Sequence, residues 1–158
     1  MLSSTPQSTA SPHAHRQRWM GVLARATGAE LEAAWSGLGD QPAYEVLRRP
    51  EMGLVMVRGR AGGTGNPFNF GEMTVTRCAV RLADGTTGHC YAAGRDGRKA
   101  ELAAVFDALL QTEARMQIET GVIAPIARRI AADRDLTSRK AAATKVEFFT
   151  MVRGDNPK

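Results

Sequence analysis

Four kinds of residue in this sequence could do chemistry: a glycine cluster, a set of spaced arginines, two cysteines and three histidines. The cluster Ala61-Gly62-Gly63-Thr64-Gly65 follows a strand-like run, and such a loop can turn backbone N–H groups onto a phosphate. A P-loop, however, needs Gly-Lys-Ser/Thr opening a helix. Here Asn66-Pro67-Phe68 follows and no lysine is near. A hairpin loop whose glycines take positive φ accounts for the same residues. Arg77 and Arg81 fall on one strand face by parity, with Ala79 between them. With Arg95 they are the best candidates for holding a phosphate or carboxylate bidentately. The competing reading of that face is a solvated surface or a subunit contact.

The remaining candidates are weaker. His89 sits in mid-strand with no carboxylate near it in sequence, which suits a structural histidine better than a base. His13 and His15 lie in or beside a Ser/Thr/Pro-rich tail. Cys78 has no histidine at a spacing that would mark a nucleophile. No Cys-x-x-Cys is present and the histidines lack ligand spacing, so no metal site is expected. Asp96 reads as a helix cap. Trp19 and Trp35 occupy core positions of their helices rather than base-stacking platforms. No catalytic residue and no cofactor of its own is expected for this chain.

These residues must be positioned by a small set of elements. Trp19, Val22, Leu23 and Ala26 recur at helical spacing over 15–26. Thr27-Gly28-Ala29-Glu30 is a capping box opening a second helix over 28–38, with Leu31, Ala34, Trp35 and Leu38 on one side. Residues 43–48 and 54–60 read as two strands parted by a turn at Pro50-Glu51-Met52-Gly53. Residues 71–82 and 86–93 read as two more strands joined at Asp84-Gly85. A two-residue turn there pairs Ala83 with Thr86 and Cys78 with Tyr91, which places Cys78 and Cys90 on opposite faces, unable to bond.

Asp96 is expected to cap a helix over 97–117, on which Leu102, Val105, Phe106, Leu109 and Leu110 form the apolar stripe. A helix over 122–134 with Pro125 in its first turn follows, then one capped by Thr137 and ending near 144. Residues 145–152 (KVEFFTMV) are strand-like and too apolar to be left bare, so they must pair with this sheet or with another chain. The class is α+β: an N-terminal helix pair, an antiparallel sheet of about four strands, C-terminal helices and a terminal strand-like tail. Residues 1–14 read as a disordered tail and 15–155 as a single domain.

The formal charge of +5 is spread over separated pairs such as Arg48-Arg49 and Arg58-Arg60. Such a balance suits nucleic acid, phosphorylated small molecules or an acidic protein. A nucleic-acid binder built on the N-terminal helix pair is the alternative function. It needs a basic second helix, and GAELEAAWSGL carries two glutamates and no Lys or Arg. No apolar run approaches the ~18–20 residues of a membrane span, and the first residues lack the cationic start and apolar stretch of a secretion signal. Unpaired cysteines fit a reducing cytoplasm.

A succession of short motifs carries a resemblance. Arg16-Gln17-Arg18-Trp19-Met20 precedes Tyr44-Glu45-Val46-Leu47-Arg48, Gly53-Leu54-Val55 and Arg60-Ala61-Gly62-Gly63-Thr64-Gly65. Then come Gly71-Glu72-Met73-Thr74-Val75-Thr76-Arg77, Val80-Arg81-Leu82, Asp84-Gly85-Thr86, Gly94-Arg95-Asp96 and Asp107-Ala108-Leu109. Val146-Glu147-Phe148-Phe149-Thr150-Met151-Val152-Arg153-Gly154 closes the series. In this order, over about residues 15 to 155, the motifs resemble the phosphonate metabolism protein G family (PhnG), the G subunit of the carbon–phosphorus lyase core complex.

The resemblance implies a subunit that works with the H, I and L subunits. Together these transfer the ribose triphosphate of ATP to a phosphonate such as methylphosphonate, displacing adenine to give ribose 1-methylphosphonate 5-triphosphate. ATP would be used by the complex, and the large I subunit, the seat of catalysis, would be the chief partner. The resemblance assigns no catalytic residue to this chain. Phe148, Phe149, Met151, Val152 and Arg153 are the expected partner contacts. Gly62, Gly63, Thr64, Gly65, Arg77, Arg81 and Arg95 are the expected ligand or interface residues.

Overall fold

The structure, a computed structural model, describes residues 12–61 and 64–144. Its element order is α1 (Pro12–Arg25), α2 (Gly28–Ser36), β1 (Tyr44–Arg60), β2 (Pro67–Leu82), β3 (Thr87–Ala93), α3 (Gly97–Leu109), α4 (Arg115–Ile118), a π-helical turn (Glu119–Ile123) and α5 (Ala124–Ala143). The strands form one antiparallel sheet in the order β1-β2-β3. The α+β class holds, with the helix pair ahead of the sheet and the remaining helices behind it.

The two short strands expected at 43–48 and 54–60 are one strand. Pro50 does not turn the chain, because β1 lies at the sheet edge, where a missing N–H costs no ladder bond. The irregularity is absorbed by register shifts between Val46 and Glu51. An added Cβ on Gly97 would lie 3.1 Å from Pro50 Cβ, so the start of α3 sits directly against this bulge.

One face of the sheet is lined by Cys78, Val80, Leu82, Cys90 and Ala92, all buried. Against it packs α3, whose residues Leu102 to Leu110 are buried on every side. The helix is small where it meets β3. A Cβ on Gly88 would fall inside the Ala104 carbonyl and 2.7 Å from Ala108 N. Behind α3 lie Trp19, Val22 and Leu23 of α1 with Ala26 just after it, Leu31 and Trp35 of α2, Val122 and Ile123 of the π-helical turn, and Ile126 of α5. Trp19, Val22, Leu23, Ala26, Leu31 and Trp35 are apolar positions that helical spacing picks out. The order is therefore sheet, central helix, outer helices, and among the described residues no helix covers the far face of the sheet.

The caps follow the sequence in two places. Thr27 Oγ1 accepts from Glu30 N, and Glu30 answers by accepting from Thr27 N at 2.7 Å. Asp96 accepts from Lys99 N at 2.9 Å. In two others they do not. α3 ends at Leu109 rather than near 117. The two helices expected over 122–144 are a single α5, with Pro125 in its first turn as foreseen. Thr137 is no cap: within α5 its hydroxyl bonds the Asp133 carbonyl at 2.8 Å, so its backbone stays helical.

The hairpin at Asp84-Gly85 is also a correction. Leu82 N donates to Thr86 O and Gly85 N to Leu82 O. Three residues, Ala83 to Gly85, therefore make the turn, with Gly85 at φ +89°. Asp84 Oδ1 accepts from Thr86 N at 2.8 Å and stabilises it. The register moves by one residue, and Cys78 pairs with Cys90 rather than with Tyr91. The two cysteines thus share the inner face, and both are buried as free thiols.

Candidate functional site

The glycine cluster and the arginines do not converge. Thr64 and Gly65 lie at the tip of the β1–β2 hairpin, and Gly62 and Gly63 lie outside the described residues. The tip is closed by a Gly65 N–Ala61 O hydrogen bond of 3.1 Å and by Arg60 Nη1 donating to Gly65 O at 3.0 Å. Arg77 is roughly 30 Å down the strand from Pro67, at ~3.3 Å per residue. Among the described residues, Thr64 and Gly65 share no anion site with the arginines.

Arg77 and Arg81 do share the outer sheet face, as parity predicts. Each meets a glutamate across the ladder. Arg77 bonds Glu51 through Nε at 3.3 Å and Nη2 at 3.0 Å. Arg81 reaches Glu45 at 2.7 Å. The hydrogen bonds from Arg77 hold the Glu51 carboxyl below the usual carboxylate range. These guanidiniums already face carboxylates in positions paired by the register, the arrangement that stabilises cross-strand neighbours. Arg95 is exposed beside Gly94, which takes φ +99°. His89 and Tyr91 also point to this face, and His89 has no carboxylate partner for its ring among the described residues.

Cys78 and Cys90 are poor nucleophiles. Burial pushes the Cys78 thiol up to about 11, helped by the charge of Glu101. Burial pushes Cys90 up to about 12. Among the described residues no three His, Cys, Asp or Glu side chains group as a metal site requires.

The most organised polar cluster is one that motif reasoning passed over. Asp107 is fully buried on α3. Its Oδ1 accepts from Trp19 Nε1 at 2.8 Å and Arg16 Nε at 3.2 Å. Its Oδ2 accepts from Arg16 Nη2 at 2.7 Å and from the backbone N–H of His89 at 2.9 Å. One carboxylate thereby ties α1, α3 and β3 together, with its oxygens occupied by donors on both sides. The His89 N–H belongs to the free edge of β3, because the ladder bonds to β2 use the even-numbered residues. One turn on, Gln111 Nε2 donates to Thr87 O on the same edge at 2.9 Å. Side chains of α3 and its C-terminal extension thus occupy two of the groups, the His89 N–H and the Thr87 carbonyl, that would otherwise template another strand. Such an acceptor, saturated and dry, positions elements and has no free lone pair to take a substrate proton. The signal for it was an acidic residue inside the apolar run from Leu102 to Leu110, which has to find donors when buried.

A second tie holds α5. Burial alone would raise the Glu30 carboxyl, but hydrogen bonds from Arg129 and Thr27 outweigh it, and the group ends below its ordinary value. Arg129 reaches Glu30 at 2.6 Å and the Arg25 carbonyl at 3.1 Å. α2 shows no basic face, since it carries no Lys or Arg and its Glu30 and Glu32 pair with Arg129 and Arg98.

Several residues brought together here belong to the motifs that carry the resemblance: Arg16 and Trp19 to the first, Asp107 to the penultimate. Comparison with known proteins agrees. The family model described as phosphonate metabolism protein PhnG matches residues 14–154. The chain belongs to this family. Among curated PhnG proteins, alpha-D-ribose 1-methylphosphonate 5-triphosphate synthase subunit PhnG of Rhizobium meliloti (strain 1021) is 44% identical over 156 residues. That match spans 99% of this chain and 100% of the relative. No helix of the described residues is long and apolar enough to cross a membrane.

Proposed function

We propose that this chain is an accessory subunit of a ribose 1-methylphosphonate 5-triphosphate synthase, and that it serves by contact rather than by catalytic groups of its own. The full-length match to a synthase subunit carries the reading. The site geometry is consistent with it: the best-organised polar groups, Asp107 with Arg16 and Glu30 with Arg129, join elements of the fold to one another. In this reading the complex, working in the cytoplasm, transfers the ribose triphosphate of ATP to a phosphonate. This chain binds chiefly the large I subunit. The outer sheet face with Arg77 and Arg81 is assigned to subunit contact rather than to an anion, because both guanidiniums already face carboxylates. The segment Phe148–Arg153, outside the described residues, is assigned to the same partner on its apolar composition.

The test is co-expression with the large subunit followed by size-exclusion chromatography. Co-elution, with the large subunit losing solubility when this chain is omitted, is expected. A monodisperse chain that ignores the large subunit would overturn the reading.

A further inference from the structure

β3 stops at Ala93, opposite Val75, while β1 and β2 run on together to Arg60 and Pro67. At ~3.3 Å per residue this two-stranded ribbon extends roughly 25 Å past the three-stranded part. It is apolar on both faces. Met52, Leu54 and Met56 follow one another along one face, 61%, 63% and 55% exposed. Met73, opposite Val55, lies on the other. Towards the tip Phe68 and Phe70 meet edge to face with ring centroids 6.3 Å apart, Phe70 being 75% exposed. Large side chains of this kind leave roughly 100 Å² each in water, so the six together present on the order of 600 Å² over the two faces, close to the ~800 Å² each partner gives to a standard interface.

The contrast with β3 is informative. Two groups of its free edge are taken by Asp107 and Gln111, whereas the ribbon, marginal on its own as any two-stranded hairpin is, has no covering element among the described residues. Charge narrows the occupant. Glu45 and Glu51 are taken by Arg81 and Arg77, while Arg48, Arg49, Arg58 and Arg60 have no carboxylate partner among the described residues, against Glu72 alone. A second copy docked on the same patch would bring two net-positive ribbons together, at a like-charge cost.

We propose that the ribbon inserts into an apolar cleft of an unlike protein chain, clasped on both faces and rimmed by carboxylates that meet Arg58 and Arg60. The proposal rests on the subunit reading above and adds where the contact lies and what chemistry the partner presents.

The experiment uses the full chain, co-expressed with the other synthase subunits, as wild type, as Leu54→Glu/Phe70→Glu and as Arg58→Glu/Arg60→Glu. All four positions are exposed, and thermal melts of the isolated variants check that folding is kept. The apolar pair of substitutions is expected to weaken the complex about 100-fold or more. The charge reversal is expected to slow association about 10-fold and to flatten its salt dependence. Wild type that co-elutes, with the Leu54/Phe70 variant bound equally well, overturns this proposal and leaves the subunit reading standing. Wild type that binds no subunit overturns both. An isolated chain that sediments as a dimer, and as a monomer after Leu54→Glu/Phe70→Glu, would make the occupant a second copy and overturn the unlike partner.

Discussion

The indole nitrogen of Trp19 lies 2.8 Å from the carboxylate of Asp107, eighty-eight residues further along the chain. The same carboxylate receives Arg16, also from α1, and the His89 N–H of β3. The arrangement depends on the carboxylate being charged and buried at once, which is favourable only because four donors reach it.

Asp107→Ala should therefore be among the most damaging single changes in the chain. It leaves the Trp19 and His89 donors unsatisfied and Arg16 without its partner. A loss of about 3–5 kcal/mol is expected, as when one member of a buried pair is removed. Asp107→Asn keeps the shape and some acceptor capacity, and should fall between that variant and wild type. Urea denaturation curves for the three proteins check the order.

Gly88 should not accept even a methyl group. Its Cβ would collide with backbone atoms of α3, at the Ala104 carbonyl and at Ala108 N. Backbone cannot swing aside as a side chain would, so helix and sheet must part. Gly88→Ala is expected to cost at least ~2–3 kcal/mol, the upper part of the overpacking range. At Gly53, where nothing lies within 4 Å, the same substitution should be mild. Melting temperatures of the two variants make the comparison.

The cysteines should be silent at neutral pH and costly at alkaline pH. Their folded values of about 11 and about 12 lie above the ordinary 9.0. A raised folded value means the unfolded chain gives up its protons first. The stability from the protonated thiols is thus complete below about pH 9 and is lost as pH rises through about 11 to 12. Cys90→Ala should flatten that alkaline slope, measured as the urea midpoint against pH. At about pH 7 a thiol reagent should label wild type only as fast as the chain opens. Rapid labelling of the native chain would contradict the burial of both groups.

The helices were the most legible part of the chain. Trp19, Val22, Leu23 and Ala26 are buried where helical spacing places them, and Thr27 with Glu30 forms the capping box its residues announce. Pro50-Glu51-Met52-Gly53 misled because its turn-like composition is equally tolerable on an edge strand, and being at the edge is a tertiary fact. Asp84-Gly85 marked the hairpin correctly. Whether the turn takes two residues or three decides on which face every following side chain falls, and so it decided the relation of Cys78 to Cys90. Arg77 and Arg81 share a face as parity requires, yet their partners Glu45 and Glu51 come from another strand and could not be paired with them before the register was known. The Asp107 cluster draws on positions 16, 19, 89 and 107, which no local pattern joins.

The Asp107 clamp also orders events in time. The β1–β2 hairpin closes between neighbours in sequence and can form early. Arg16 and Trp19 leave the ribosome long before Asp107, and bridging about ninety residues is among the slow, entropically costly closures. Until α3 is made and docks, the β3 edge presents an unprotected N–H at His89 beside a ribbon that is apolar on both faces. A nascent chain of this design is most prone to mispair in the interval between synthesis of Ala93 and synthesis of Gln111, and α3 acts as the late-arriving guard of the sheet it rests on.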